Sequence, residues 1–258
     1  MEQAKPAAAW PFPAGVGGAT EAAEPAAPAT VLSATGFVTV PETTLPNGLV
    51  VPAFQVSQYH IAKDESGAPV VNPELSPWVE IDFAGAKAQC EAMGGQLIRE
   101  TQALALGWNI FNVAENWSGG AVGEGTLRMG LHDDDDLDEA PTGTYELEKR
   151  GFKLSNGETV FDAAGLVYTW VFDDVQGDDA GLVAKAFAED SPSIATAPYP
   201  SMQKGMGWRP RAGADWSGDA LIRGGSWGSG SLAGVFGLNG DWPDLENGSV
   251  GFRCTKGL

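Results

Sequence analysis

The chain has 258 residues, enough for one large domain or two small ones, and its hydrophobic content of 43% suffices to build a buried core. Against 15 basic residues stand 34 acidic ones, and the resulting formal charge of −19 argues against a nucleic-acid backbone or an anionic membrane surface as partner. Thirty-five Gly and nine Trp point to many tight turns pinned by large aromatic side chains, with irregular structure outweighing helix.

Met1 to Trp10 carries Lys5 but no apolar run long enough for a signal peptide, and no later stretch approaches a membrane span. Residues 1 to about 35 are rich in Ala, Pro, Gly and Glu and lack periodicity, so they read as a flexible tail or as an arm that docks on a partner subunit. We divide the chain into an extended N-terminal arm or oligomerisation segment, 1–45, and one domain, 46–258. Val50 to Ile61 is rich in β-branched and aromatic residues and predicts paired short strands, followed by a turn at Asp64 to Gly67. Asp82 then stands as an N-cap before Phe83, Ala86, Cys90 and Met93 at helical spacing, with Gly94-Gly95 behind them. A second, core-facing helix is predicted over Glu100 to Phe111, where Leu104, Trp108 and Phe111 recur at intervals of three and four. Beyond Asn116 the pattern predicts short strands and loops: the Gly-rich Ser118 to Gly125, the acidic Asp133 to Glu139, then Thr159 to Phe172.

Catalytic chemistry finds few reactive groups. Two histidines, His60 and His132, cannot build a three-histidine metal site, and each reads as a structural residue. Cys90 lies at an apolar helix position, where a thiol is buried rather than activated. Ser226, in Gly-Gly-Ser-Trp-Gly, only loosely matches a nucleophile elbow and has no His nearby in sequence. The acidic run lacks the alternating ligands and turn glycine of a calcium loop and reads as a solvated surface. Asn116-Trp117-Ser118 and Asn247-Gly248-Ser249 match the glycosylation sequon but carry little weight without a secretory signal.

Three ordered segments carry a resemblance: Phe161 to Trp170 (FDAAGLVYTW), Leu221 to Trp227 (LIRGGSW) and Gly251 to Cys254 (GFRC). Together they resemble the formylglycine-generating-enzyme branch of the C-type lectin fold over roughly residues 48 to 258. The likeness implies an α+β, C-type-lectin-like fold with few helices, short antiparallel strands and extensive loops. It also implies a disulfide between Cys90 and Cys254, joining the first helix to the last strand. Within that branch the enzymes use a cysteine pair that Gly228 to Asn239 lacks, or a histidine triad that two histidines cannot supply. Leu166 and Thr169 stand where the family places Asn and Glu. The chain therefore looks more like the variable proteins of diversity-generating retroelements, the phage tropism determinants among them. No cofactor, metal or catalytic residue is implied.

In those proteins the segment between the Arg-Gly-Gly-Ser-Trp and Gly-Phe-Arg motifs, here about 223–253, is rewritten at selected positions. Ala233 to Phe236 resembles its constant centre. The contact positions are then expected at Gly228, Ser229, Leu232, Gly237, Asn239, Asp241, Trp242, Leu245, Asn247 and Ser249, with Arg223, Trp227, Phe236 and Phe252 as scaffold. Independently of any family, Leu245, Asn247 and Ser249 alternate, so in an extended segment they share one face, opposite Glu246, Gly248 and Val250. The resemblance implies a binding protein for a protein or glycan receptor on a bacterial surface, carried as a homotrimer in the tail fibre of a phage virion. The alternatives are an enzyme of the formylglycine-generating branch and a cytoplasmic, bacterial, retroelement-diversified binding protein.

Overall fold

The computed structural model describes residues 36–258. The first part of that chain supplies six short strands: β1 (Phe37–Val40), β2 (Thr43–Thr44), β3 (Val50–Val51), β4 (Phe54–Ser57), β5 (Ala62–Lys63) and β6 (Pro69–Val70). Two helices follow, α1 (Phe83–Ala92) and α2 (Glu100–Phe111), with β7 (Gln96–Leu97) between them. The Asp82 carboxylate accepts from the Gly85 amide at 2.6 Å, which satisfies one of the free N–H groups at the start of α1. At its other end Gly95 has no room for a side chain, because a Cβ would lie 2.5 Å from the carbonyl oxygen of Thr255. Phe83, Ala86 and Cys90 form the buried face of α1, as their spacing predicts.

The second part contributes α3 (Leu147–Arg150), β8 (Gly151–Lys153), β9 (Thr159–Phe161), β10 (Tyr168–Val171) and α4 (Pro192–Ala195). It ends in β11 (Ala220–Gly224), β12 (Gly234–Asp241), β13 (Val250–Phe252) and β14 (Cys254–Gly257). Two four-stranded sheets organise the fold, in the orders β1-β4-β14-β7 and β12-β11-β10-β13. Every pairing in them is antiparallel except β10 with β13. The first and last described strands thus flank β4, and Cys90 of α1 is disulfide-bonded to Cys254 of β14 with a Cα separation of 5.2 Å. Among the described residues four α-helices, many short strands and long loops make this an α+β fold.

Three clusters fill the interior. The largest packs α2 against β1, β4, β11 and β12; the second joins α1 to Trp170, Ile222 and Phe252; a small third one holds Leu131, Ala140, Leu166 and Val167. Two sequence expectations need correction. Residues 37–44, assigned to an arm ending at 45, are strands of this domain, because alternate residues Val38 and Val40 enter the main core while β1 pairs along β4. The rest of that arm, residues 1–35, lies outside the described residues. The strands predicted over Val50 to Ile61 form, but they do not pair with each other: β3 joins β2, while β4 lies between β1 and β14. Among the described residues no helix is long and apolar enough to cross a membrane.

Candidate functional site

The frame beneath the C-terminal segment is held by buried ions. Arg223, on β11, is 4% exposed and pairs with Glu100 at the start of α2, its Nε donating to Oε2 at 2.6 Å and its Nη2 to Oε1. Its remaining donors reach the carbonyls of Ser193, Phe236 and Gly237 at 3.2, 3.3 and 3.4 Å, so one guanidinium ties together β11, β12, α2 and α4. Phe236 and Phe252, 1% and 0% exposed, fill the two larger cores on opposite faces of this sheet.

Arg253 is buried as well, donating to the carbonyls of Ser57 and Phe161 and lying 3.3 Å from His60 Nδ1. A guanidinium can only donate, so Nδ1 is the acceptor and the proton sits on Nε2, which donates to Thr169 Oγ1 at 2.8 Å. Burial first, then Arg253 and Arg150, holds the His60 pKa well below its ordinary 6.5. His60 is thereby a neutral structural link, with Thr169 as its partner.

Trp227 departs from the expected buried anchor. It is half-buried, covers Leu131, Leu166 and Val167 as a lid, and donates from Nε1 to the Leu137 carbonyl at 3.1 Å. The acidic stretch is consequently docked against the Arg-Gly-Gly-Ser-Trp turn, with the Asp134 amide donating to the Trp227 carbonyl at 3.0 Å. Asp133, Asp135, Asp136, Asp138 and Glu139 remain exposed, and among the described residues no three His, Cys, Asp or Glu side chains are grouped to hold a metal. Gly224 and Gly225, at φ +95° and +93°, turn the chain out of β11 where a side chain would strain the backbone.

Around this frame the ten expected contact residues fall into two groups. Ser229, Leu232, Gly237 and Asn239 converge on Tyr168 and Trp208. Leu232, Gly237 and Asn239 line a cavity of about 230 Å³ with those two aromatics and Leu238, and the Ser229 hydroxyl donates to Tyr168 Oη at 3.3 Å. Leu232 is 44% exposed, and Gly228, at the turn before it, faces solvent beside Asp135. Gly237, Asn239 and Asp241 alternate along β12 on the face opposite Phe236 and Leu238. Gly237, however, is buried, and a Cβ there would lie 2.9 Å from the Gly234 carbonyl oxygen, so this position offers backbone alone.

The second group lies beyond the end of β12. Trp242 is the most exposed aromatic described, at 68%. The segment after it is turned rather than extended, which reverses the face expected to meet ligand: Leu245 packs on the second core and Asn247 Oδ1 accepts from both the amide and the hydroxyl of Ser249 at 2.8 Å. Glu246 and Gly248 face solvent instead, and Val250 is buried in β13. The two groups meet through Tyr168, whose amide donates to the Ser249 carbonyl at 2.8 Å. Asp219 stands near Asp241, and burial, reinforced by that neighbouring charge, raises the Asp219 pKa. Tyr168, Trp208 and Glu100 were not found from sequence. Tyr168 lay within the quoted FDAAGLVYTW segment at the exposed end of a strand, which was the available signal; Trp208 is brought in by the long loop before β11, which no local pattern announces.

No family model matches the sequence, and no curated protein matches it. Among solved structures, Treponema denticola variable protein 1 is similar at 13% identity and a TM-score of 0.43, covering 86% of this chain and 94% of that one. PvdO from Pseudomonas aeruginosa is similar at 15% identity and a TM-score of 0.41, covering 86% and 92%. The U1 variant of the Major Tropism Determinant is similar at 15% identity and a TM-score of 0.40, over 88% of this chain and 53% of that one.

Proposed function

We propose that the protein is a variable-type binding protein whose C-terminal surface captures a protein or glycan receptor on a bacterial cell, as the tip of a phage tail fibre. The observation that carries this reading is the cavity between Tyr168, Trp208, Leu232 and Asn239, set on a frame of buried Arg223, Phe236 and Phe252. Aromatic walls with a few hydroxyl and amide groups suit both sugar faces and protein side chains, and an exposed Trp such as Trp242 is a common centre of binding energy. Catalysis is not part of the reading, since Cys90 and Cys254 are bonded to each other and His60 is held between Arg253 and Thr169.

Single-site capture of a surface molecule is weak, and a trimer would raise avidity steeply. Light scattering at micromolar concentration should then give three times the chain mass of 26.9 kDa, and a monomer mass would count against the trimer. The binding test presents the protein to bacterial cells and to a glycan array. Leu232→Ala, Asn239→Ala and Trp242→Ala should each reduce capture while leaving thermal melting unchanged. Capture equal to that of the unaltered chain in all three would overturn the assignment of the surface.

A further inference from the structure

We propose that the groove lined by Ile194, Pro200, Met202, Trp208, Arg209 and Arg211 is a second binding site, selective for a single carboxylate carried on an apolar or aromatic body. The groove has a volume of about 810 Å³ and shares only Trp208 with the cavity described above. Its walls are mostly apolar, yet two arginines reach it. Arg209 is only 8% exposed; its Nη2 donates to the Tyr199 carbonyl at 2.7 Å, while its Nη1 has no partner among the described residues.

Neither Arg209 nor Arg211 forms an ion pair among the described residues, although the chain carries 34 acidic side chains. A guanidinium held out of water with no counter-charge is costly, and an unfilled N–H adds to the cost. Burial, and after it Arg223, lowers the Arg209 pKa to about 10, so the side chain is still a cation at neutral pH and is short of an anion. A carboxylate entering the groove would supply the charge, accepting from the exposed Arg211 and neutralising the buried Arg209 beside it. The aliphatic and indole walls would cover the rest of the ligand. Glu189 also lines the groove without pairing with either arginine among the described residues, and its charge opposes a doubly charged ligand more than a singly charged one.

The probes are 3-phenylpropionate, its uncharged amide and inorganic phosphate, titrated into the full chain by calorimetry and followed through tryptophan fluorescence, to which Trp208 contributes. The acid should saturate below about 10 mM, with amide and phosphate at least about tenfold weaker. Arg209→Met should abolish binding of the acid, Arg211→Ala should weaken it several-fold, and Leu232→Ala, in the neighbouring cavity, should leave it unchanged. No saturation by the acid, equal binding of acid and amide, or equal binding of acid and phosphate would each overturn the proposal. So would an Arg209→Met protein that binds as the unaltered chain does. Should Arg209→Met fail to melt cooperatively, Arg211→Ala and the acid-to-amide ratio decide alone, because Arg211 is exposed and its loss spares the fold. Receptor capture through Leu232 and Trp242 is read in a separate assay, so either reading can fail without the other.

Discussion

Arg223 and Glu100 stand 123 positions apart, and nothing local in the sequence joins them. Arg223 is recognisable as a fixed member of a motif, but its partner at the start of α2 looks like an ordinary first-turn acid, which a helix favours there anyway. Only the fold shows that both are buried and bidentate, 5% and 0% exposed in their side chains. Removing one partner leaves the other charge without compensation, so Glu100→Gln should destabilise the protein by about 3–5 kcal/mol in urea unfolding. Trp227→Ala should cost less, about 2 kcal/mol, since the indole is a lid over the third cluster rather than a core side chain, and the cavity it leaves opens to solvent. At the candidate surface, Trp242→Ala should change stability by no more than about 0.5 kcal/mol, whereas Leu245→Ala should cost about 1–2 kcal/mol because Leu245 packs on the second core. Equal melting of these last two variants would show that the turned segment after β12 is not seated as described.

Among elements, α1 and α2 were legible because each has a periodic apolar face, joined in α1 by the Asp82 start signal, and periodicity survives whatever the helix packs against. The Arg-Gly-Gly-Ser-Trp segment was marked only by its resemblance to a family motif; that it is a turn follows from Gly224 and Gly225, at φ +95° and +93°. Strand partners were not legible, because a two- or four-residue strand holds too little pattern to specify its neighbour, and β3 and β4 consequently join different sheets. The face shared by Leu245, Asn247 and Ser249 is half-buried for a related cause, while Trp242 before them is exposed. Alternation predicts a face only in an extended chain, and Pro243 together with the Asn247–Ser249 hydrogen bonds bends this one. The covalent tie between α1 and β14 closes a loop spanning 164 residues, and such a loop loses much unfolded-state entropy when bridged. Replacing both cysteines by serine should therefore lower stability by about 3–5 kcal/mol while receptor capture at 25 °C is retained, as read by calorimetry and cell binding on one preparation. Loss of capture in a protein that still melts cooperatively would mean that the bridge also sets the geometry of β13 and the surface beside it.

For the molecule as a whole, the composition foretold an acidic protein rich in loops, but it could not foretell which of its many titratable groups are sealed inside. His60 and Asp173 are 2% and 1% exposed, and they act on stability in opposite directions as pH falls. The His60 pKa is depressed by burial and by Arg253, so between its ordinary 6.5 and its lower folded value the unfolded chain binds the extra proton and stability is lost on acidification. Asp173 is the reverse case. Burial, reinforced by Glu100, raises its pKa from 3.8 to about 6, while Oδ1 accepts from the amides of Val175 and Gln176 and Oδ2 has no partner among the described residues. Between those two values the folded state holds the proton that the unfolded chain releases, so acidification adds stability. The two contributions overlap and partly cancel in the unaltered protein, which should show only a shallow change in melting temperature from about pH 7 to about pH 5. Single variants separate them. His60→Gln keeps an acceptor for Arg253 and a donor for Thr169 but cannot charge, so its melting temperature should fall less than that of the unaltered chain, or rise, over this interval. Asp173→Asn removes the stabilising proton uptake and should fall more. Identical slopes in all three proteins would mean that neither group titrates between the folded and unfolded states in this window, and the burial assigned to both would have to be abandoned.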